Sequence, residues 1–491
     1  MTSTLSDSKH DVDSEKGEVS HSRELCEDHH GSQTDNIDAG FEPAFVHRTM
    51  RKVDMRLVPI LAALYAISLI DRTNLGLARA ANGFQMDRDI GTGEGMHYSI
   101  ATMLFFVPYI IFEVPVRDPS AGIWLGIATV LWGITTIGMG WVPSWQGLAG
   151  LRAVLGLFEA TLFPGATYLI ATWYPRRQMA SRNALFFLTA ATTSQLFSPI
   201  AYCFTLMNGL QGHSGWRWAF TLYGVITVVI GIVAIVVLVD FPDKAKFLSA
   251  EQRELVKVRI ERDRKDSEPD PLTWRKVGRY ACDLKLWIFA YLFGVSSLCG
   301  YSLGYFLPLL LSAMGFKKSI EQMLLGVPAY FYAMIPSWIT AQISDRKPHM
   351  RAWMFVFNSC STLIGTLMYS QIKENKAARY VGVYFAVGGC QSNVPLVTSW
   401  CQCSIRAQSK RAFASALVIA WGGVGGILAS VTFQQREAKQ GYPTGVWFTV
   451  AMNIVAIVAT IALKFWMRWR NLKADTEGVV LEDDPGFRYQ D

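Results

Sequence analysis

Charged residues are scarce in this chain. Asp, Glu, Lys and Arg account for 17% of its 491 residues, whereas soluble domains contain about 25%. Hydrophobic residues reach 51%, and this balance is typical of a membrane protein. The net charge of +7 does not indicate a nucleic-acid-binding surface, because most of the charge lies in loops between apolar segments. We therefore predict a bilayer as a partner and no nucleic acid.

The chain also lacks the short motifs of common enzymes. It has no HExxH zinc motif, no phosphate-binding loop and no visible nucleophile triad. The eight cysteines do not predict a disulfide framework, since most of them lie within apolar segments. Cys401 and Cys403 have no second cluster with which to bind a metal. These absences predict a protein that is not an enzyme, with no metal site and no cofactor.

Long apolar runs are abundant instead. A run of about 20 apolar residues crosses a bilayer core of about 30 Å as a helix, and such runs recur twelve times. The predicted fold class is an all-α membrane protein with twelve transmembrane helices in two six-helix bundles. The predicted spans are 57–81, 97–115, 121–141, 146–171, 183–207, 218–240, 285–312, 323–343, 351–370, 379–400, 412–432 and 445–467.

The polar segments predict the domain organisation. Lys and Arg near the spans favour one face, so both termini are expected in the cytosol. In the central linker, Ser249 and Gln252 have the spacing of a capping box at the start of a charged helix. We predict a disordered cytosolic tail over 1–46 rather than a cleavable signal peptide, an N-terminal bundle over 47–240, a cytosolic linker over 241–284, a C-terminal bundle over 285–470 and a cytosolic tail over 471–491.

The two halves are related by an internal repeat. The stretch WYPRR, which begins at Trp173, follows the fourth span, and a related stretch from Trp400 to Arg406 follows the tenth, about 227 residues later. The same offset relates Asp345 and Arg346, between spans eight and nine, to Asp118 between spans two and three. Parallel repeats of six spans are typical of the major facilitator architecture, in which the substrate lies near the midplane between the halves.

Two pairs of opposite charge interrupt the apolar spans. Asp71 and Arg72 lie in SLIDRTNLG in the first span, and Arg152 and Glu159 lie seven residues apart on one face of the fourth. A charge at this depth costs about 2.5–3.5 kcal/mol unless it is paired or faces an aqueous cavity. The repeat places the uncharged Leu298 and Cys299 opposite the first pair, so this fold does not need charges there.

The four charges suggest a transport site for an anion and a proton. Protonation of a carboxylate breaks an ion pair and frees an arginine for an anionic substrate, and substrate release restores the pair. The alternative is two inert ion pairs that only hold helices together. For each of the other candidate residues, a purely structural role is an alternative to a role in transport. Gln391 and Asn393 either line the cavity or join helices, Tyr301 stacks on a planar substrate or fills the core, and Glu113 contributes to a proton exit or makes a gate or helix-end contact.

Several motifs resemble those of the fungal anion:cation symporters of the major facilitator superfamily, in particular the allantoate permease group with its nicotinate-type permeases. They are IDRTNLG, FFVPYIIFEVP, RAVLGLFEATLFPGATYLIATWYPRR, PDKAKFLSAEQRELV and YFLPLLLSAMGF. The resemblance implies proton symport of small organic anions, such as ureido acids or vitamin carboxylates. A plasma-membrane location and a monomer are also expected.

The resemblance also implies residue roles. Asp71 and Glu159 would carry protons, Arg72 would meet the substrate, and Arg152 would pair with Glu159. Asp345 and Arg346, with Glu113, would belong to the gating loops.

One departure from the family keeps other functions open. The loop after Glu113, which reads VRDPSAGIWLG, is several residues shorter than in the family. A transporter-derived nutrient sensor with little flux is therefore an alternative. An efflux carrier for an acidic metabolite is a second alternative, since it would share the fold and reverse the net direction of transport.

Overall fold

A computed structural model describes most of the chain. The described residues are 38, 40–112, 121–175, 200–239, 242, 245–265, 273–316, 319–372, 375–434, 437, 441–482 and 485–489, together with parts of 182–197. Most of these residues are helical, as the composition predicts.

The N-terminal half contains the first six spans. The first, second and third spans are α1, α3 and α4, the fourth is divided into α5 and α6, α7 belongs to the fifth and α8 is the sixth. Much of the predicted fifth span lies outside the described residues. The helices are α1 (Pro43–Ala80), α2 (Gln85–Ile90), α3 (His97–Phe112), α4 (Ala121–Met139), α5 (Trp145–Glu159), α6 (Leu162–Trp173), α7 (Ile200–Thr205) and α8 (Gly215–Val237).

The linker and the C-terminal half follow. Two linker helices, α9 and α10, precede the seventh span α11, and α13 to α17 are spans eight to twelve. The helices are α9 (Ala250–Lys265), α10 (Trp274–Ala281), α11 (Leu284–Ala313), α12 (Ser319–Leu324), α13 (Gly326–Arg346), α14 (Arg351–Gln371), α15 (Lys376–Cys403), α16 (Gln408–Thr432) and α17 (Pro443–Glu477). Among the described residues, seven helical segments are long and apolar enough to cross a membrane, and α3 is a shorter apolar helix.

The helical hydrogen bonds of the fourth span are interrupted beside one of the predicted site residues, although the backbone there keeps helical angles. Helix α5 ends at Glu159 and α6 begins at Leu162. Pro164 lies in the first turn of α6. It has no N–H to donate to a helical hydrogen bond, and in a regular helix its ring would clash with the carbonyl group four residues earlier. The break therefore leaves Glu159 in the last turn of α5.

Glycines allow close contact at two crossings near the site. A Cβ on Gly156 of α5 would lie 2.0 Å from the carbonyl oxygen of Phe105 on α3, and one on Gly76 of α1 would lie 2.7 Å from that of Tyr305 on α11. Small residues let helix backbones approach in this way. The first crossing holds spans two and four together, and the second joins the two halves.

At one end of the molecule, which we call the terminal end, the linker contacts α1 and the C-terminal segment contacts the start of α11. The Lys52 ammonium donates to the Gln252 amide oxygen at 3.2 Å, and Lys285 at the start of α11 pairs with Glu482 at 2.7 Å. The predicted capping box is confirmed, since the Ser249 N–H donates to the Gln252 side chain at 3.3 Å and the Gln252 N–H donates to the Ser249 hydroxyl at 3.2 Å.

The segment boundaries at the chain ends differ from the predicted ones. Helix α1 begins at Pro43, inside the predicted tail over 1–46, of which residues 1–37 and 39 lie outside the described residues. Helix α17 continues to Glu477, so the predicted boundary at 470 falls within a helix. Beyond it, Leu481 and Tyr489 are buried against the C-terminal bundle because the segment folds back onto it.

Aromatic residues join the two halves at the other end, which we call the opposite end. The ring of Tyr98 at the start of α3 meets Phe306 of α11 with centroids 5.9 Å apart, and Phe306 contacts Tyr442 at 5.6 Å. Arg79 near the end of α1 lies over Tyr98 at 4.2 Å and pairs with Asp87 at 2.8 Å. The halves are therefore in contact across this end.

Candidate functional site

The four predicted charges converge in the interior of the N-terminal half. Asp71 and Arg72 on α1 and Arg152 and Glu159 on α5 are each at most 4% exposed. The crossing of α5 and α3 at Gly156 holds Glu159 and Arg152 at this depth. The sequence spacing therefore predicted a cluster that the fold does bring together.

Glu159 is paired with Arg72. The Arg72 Nε and the Ser68 hydroxyl both donate to Oε1 of Glu159, and Oε2 has no hydrogen-bond partner among the described residues. The resemblance implied a pair between Arg152 and Glu159 instead, and that pairing is not the one observed. Ser68 and Arg72 lie one helical turn apart on α1, so that their donors reach the same oxygen.

Arg72 also reaches the other half of the molecule. Its Nη1 donates to the hydroxyl of Tyr301 on α11 at 3.0 Å. Its guanidinium lies over the rings of Tyr109 at 4.6 Å and Phe105 at 5.3 Å, both on α3, in cation–π geometry. One cation thus bridges a carboxylate of the N-terminal half and a phenol of the C-terminal half within aromatic walls.

Asp71 points away from its neighbour Arg72. Its Oδ2 accepts hydrogen bonds from the Trp132 indole N–H of α4 at 3.2 Å and from the Thr227 hydroxyl of α8 at 3.0 Å. Its Oδ1 has no partner among the described residues. The two charges that are adjacent in sequence therefore do not pair with each other, and Asp71 joins three spans of its own bundle.

Arg152 makes little use of its donors. Its Nη1 donates to the backbone carbonyl of Asp71 at 3.4 Å, while Nε and Nη2 have no partner within the described part of the chain. An unpaired guanidinium in the interior is costly, so Arg152 is a buried cation with donors to spare for an anion.

Two of the remaining predicted residues, Asn393 and Gln391, contact other parts of the C-terminal half. Asn393 of α15 donates to the Ser359 hydroxyl of α14 at 3.0 Å, which is a contact between helices of one bundle. Gln391 is half-buried beside α11, with its amide nitrogen 3.9 Å from where a Cβ on Gly300 would stand. Asp345 and the exposed Arg346 end α13, and Glu113 lies outside the described residues.

Sequence reasoning did not identify three partners of these charges, namely Ser68, Trp132 and Thr227. Ser and Thr occur throughout apolar helices with their hydroxyls bonded to their own backbone, and Trp is common in membrane spans. The available signal was indirect: a buried carboxylate needs donors, so polar atoms on the helices around α1 were candidates.

Comparison with known proteins agrees with the helical architecture. The chain is 30% identical over 454 residues to a protein named MFS transporter prlL from Fungal sp. (strain NRRL 50135), with 89% of this chain and 90% of the relative covered. It is 27% identical over 451 residues to the major facilitator-type transporter hxnP of Emericella nidulans, with 90% and 89% covered. The crystal structure of a bacterial homologue of the human lysosomal transporter Spinster has the same fold, with a TM-score of 0.60, 14% identity, and 86% of this chain and 98% of that chain covered.

The fold and these relatives define an integral, multi-pass membrane protein of the secondary transporter class, whose relatives are named transporters rather than enzymes. The Major Facilitator Superfamily model matches residues 61–430. The chain belongs to the major facilitator superfamily, and the predicted fold class is confirmed.

Proposed function

We propose that this transporter carries a small organic anion, such as a ureido acid or a vitamin-like carboxylate, together with protons. We further propose that it belongs with the allantoate and nicotinate permease-like symporters. The observation that carries the proposal is the position of Arg72, whose guanidinium holds Glu159 of one half and Tyr301 of the other. A carboxylate substrate that binds between the halves would meet this cation.

Competition between the anion and Glu159 for Arg72 couples anion binding to proton uptake. Arginine binds carboxylates with two parallel hydrogen bonds, so an anion that takes Arg72 displaces Glu159. A buried carboxylate that has lost its cation is strongly destabilised, and Glu159 therefore takes up a proton as the anion binds. When the anion leaves, Arg72 favours the charged form of Glu159 and the proton is released.

The other site residues have supporting roles in this scheme. Asp71 is a second proton carrier, and Arg152 adds a positive charge, with two nitrogens that have no partner in the described part of the chain. The hydroxyl of Tyr301 positions Arg72 from the C-terminal half, and Gln391 lies beside α11 near Gly300. Asn393 joins α15 to α14, so its contribution to substrate binding is indirect. In this scheme the protein acts as a monomer in the plasma membrane with both termini in the cytosol.

Uptake measurements test the proposal. Labelled allantoate, nicotinate and simple mono- and dicarboxylates are offered to proteoliposomes with an inwardly directed proton gradient, and again after an ionophore has collapsed it. We expect one of these anions to accumulate only while the gradient is present. Accumulation that ignores the gradient would overturn proton coupling. Binding without flux would favour a sensor, and accumulation driven only by an outwardly directed proton gradient would favour an efflux carrier.

A further inference from the structure

Two neutral side chains from different spans share one oxygen of Asp71. The Trp132 indole of α4 and the Thr227 hydroxyl of α8 both donate to Oδ2, at 3.2 and 3.0 Å. All three residues are buried, with at most 1% of each exposed. Oδ1 accepts no hydrogen bond from any described residue. The two oxygens of this carboxylate are therefore chemically different.

The two donors respond differently to the charge of Asp71. An indole N–H can only donate, so Trp132 favours the ionised carboxylate. The Thr227 hydroxyl has one hydrogen and two acceptors within reach, since the carbonyl oxygen of Tyr223 lies 2.9 Å away on the same helix. Its hydrogen can point to Asp71 or back to the helix. Thr227 can thus donate to the ionised carboxylate, and its hydrogen can turn to the Tyr223 carbonyl once Oδ2 has lost its negative charge.

We propose that Trp132 and Thr227 are positioning residues that set the proton affinity of Asp71 and leave Oδ1 as the oxygen that is protonated. This inference rests on the proposed role of Asp71 as a proton carrier. In the ionised state both donors hold Oδ2. The arriving proton bonds to Oδ1, and the bond from Thr227 then weakens as its hydrogen turns to the Tyr223 carbonyl. When the proton leaves Oδ1, the hydroxyl turns back.

Other charged and titratable groups around Asp71 also influence its proton affinity. Glu159 and Arg152 face it from α5, Tyr223 lies near it on α8, and Arg72 follows it on α1. Trp132 and Thr227 are themselves neutral, so replacing either one leaves the charge of the cluster unchanged. A shift in proton affinity after such a replacement therefore reports the lost hydrogen bond.

The repeat indicates that a carboxylate is not needed to join these helices. In the C-terminal half the amide of Asn453 on α17 donates to the Cys299 sulfur on α11 at 3.0 Å. This bond links the seventh and twelfth spans about 227 residues after the place where Asp71 and Thr227 link the first and sixth. Two neutral groups make the equivalent connection, so the ionisable group at Asp71 serves a purpose beyond packing.

The pH profile of uptake tests the inference. Thr227→Val removes one donor to the ionised carboxylate with little change of shape, and Trp132→Phe removes the other while keeping an aromatic ring, although it leaves space where the larger indole stood. Hydrogen bonds to charged groups are strong enough that losing one should move the pH of half-maximal uptake upward by about one unit. Thr227→Ser keeps the hydroxyl and should keep the wild-type profile. The matched control is Thr136→Val, because Thr136 is also buried on α4 and its hydroxyl donates to the Trp132 backbone carbonyl.

The outcomes separate this inference from the proposed function. Wild-type uptake without pH dependence, or an Asp71→Asn variant with the wild-type profile, would overturn the role of Asp71 itself. If Asp71→Asn loses the pH dependence while Thr227→Val and Trp132→Phe titrate like Thr136→Val, the positioning role is wrong. Infrared difference spectra of the purified proteins give a second readout. The protonated-carboxyl band that disappears in Asp71→Asn should titrate at higher pH in Thr227→Val and Trp132→Phe, even in a variant whose transport is weak.

Discussion

At the scale of single residues, the charged side chains of the site have few hydrogen-bond partners. Arg72 is shared between Glu159 and Tyr301, and Arg152 leaves two nitrogens without a partner among the described residues. A purely structural ion pair would satisfy its donors and acceptors, because unsatisfied polar groups in the interior are costly. The incomplete pairing favours a site that is completed by a ligand and a proton over an inert pair.

Replacing Arg72 tests the assignment of the anion-binding cation. Arg72→Ala removes the guanidinium that the anion would bind, so we expect carboxylate binding to be lost while expression and membrane insertion persist. Direct binding of the labelled carboxylate to the purified variant is the measurement. Arg468→Ala is the control, since Arg468 is an exposed cation on α17 and is distant in sequence from the four site residues. Wild-type affinity in Arg72→Ala would contradict the assignment.

The sequence identified the charges but could not specify their pairing. Two charged pairs deep in apolar spans were conspicuous, and their positions predicted that all four side chains lie in one site. Which arginine meets Glu159 depends on how α1 and α5 pack in the bundle. The Ser68 contact with Glu159 and the approach of Gly156 to α3 are parts of that packing that no spacing rule encodes. Trp132 and Thr227 were hidden for a similar reason, because only the packed bundle brings them to Asp71.

At the scale of helices, the position of Glu159 follows from the contact between α5 and α3. Gly156 lies one turn before Glu159 and allows the α3 backbone to approach at Phe105. The same stretch of α3 supplies the rings of Phe105 and Tyr109 that surround Arg72. A change in this crossing would therefore move the carboxylate and the aromatic wall together.

Two glycines of α5 provide a matched test of the crossing. A methyl group at Gly156 would collide with the Phe105 carbonyl, so Gly156→Ala should destabilise the fold by about 1–3 kcal/mol and impair transport. Gly150 has open space around its missing Cβ, and Ala is the better helix former, so Gly150→Ala should be neutral or slightly stabilising. Thermal unfolding in detergent distinguishes them. Equal melting temperatures for the two variants would contradict the close crossing.

Helix ends were harder to predict than helix positions. Hydropathy located most spans, but it stopped the last one near residue 467, and α17 continues to Glu477. The additional turns are polar and are stabilised by the returning C-terminal segment. The Asn471 side chain exchanges two hydrogen bonds with the backbone of Tyr489, each 2.9 Å long. A contact of this kind comes from the folded chain and not from local composition.

At the scale of the whole molecule, the two halves are covered differently at the terminal end. The linker meets the N-terminal half through the contact between Gln252 and Lys52. The C-terminal half is covered by the segment beyond α17, whose Glu482 accepts from Lys285 at 2.7 Å and from Lys410 at 2.8 Å. Lys410 also pairs with Asp283 at 2.7 Å, just before α11. This network ties the starts of α11 and α16 to the C-terminal segment.

The network makes stability depend on pH. Burial raises the pKa of Glu482, but Lys285 and Lys410 outweigh it, so the pKa lies below the ordinary value of 4.5. When the pKa of a carboxyl group is lower in the folded protein than in the unfolded chain, the group stabilises the fold. This contribution is complete at pH values above the pKa of the unfolded chain, and it is lost as the pH falls through the pKa of the folded protein. Glu482→Gln should therefore lower the melting temperature at neutral pH and lose less stability below pH about 4.5 than the wild type.

Glu477→Gln is the control for this prediction, because Glu477 is exposed and lies 3.8 Å from Lys473 in a single surface pair. Such pairs contribute little, and its melting temperature should match the wild type at each pH. A Glu482→Gln variant that melts like the Glu477→Gln control throughout would show that the Glu482 ion pairs do not stabilise the fold.

The exchange of partners at Arg72 is tested most directly by counting the protons that accompany the anion. Calorimetric titration of the purified transporter with its best carboxylate, repeated in buffers of different ionisation enthalpy, gives the number of protons taken up per anion bound. Because each anion that takes Arg72 displaces one carboxylate, Glu159, which then takes up a proton, we expect uptake of about one proton per anion in the wild type. Glu159→Gln should still bind and exchange the anion but lose this proton uptake. Anion binding without proton uptake in the wild type, or unchanged uptake in Glu159→Gln, would contradict the proposed coupling.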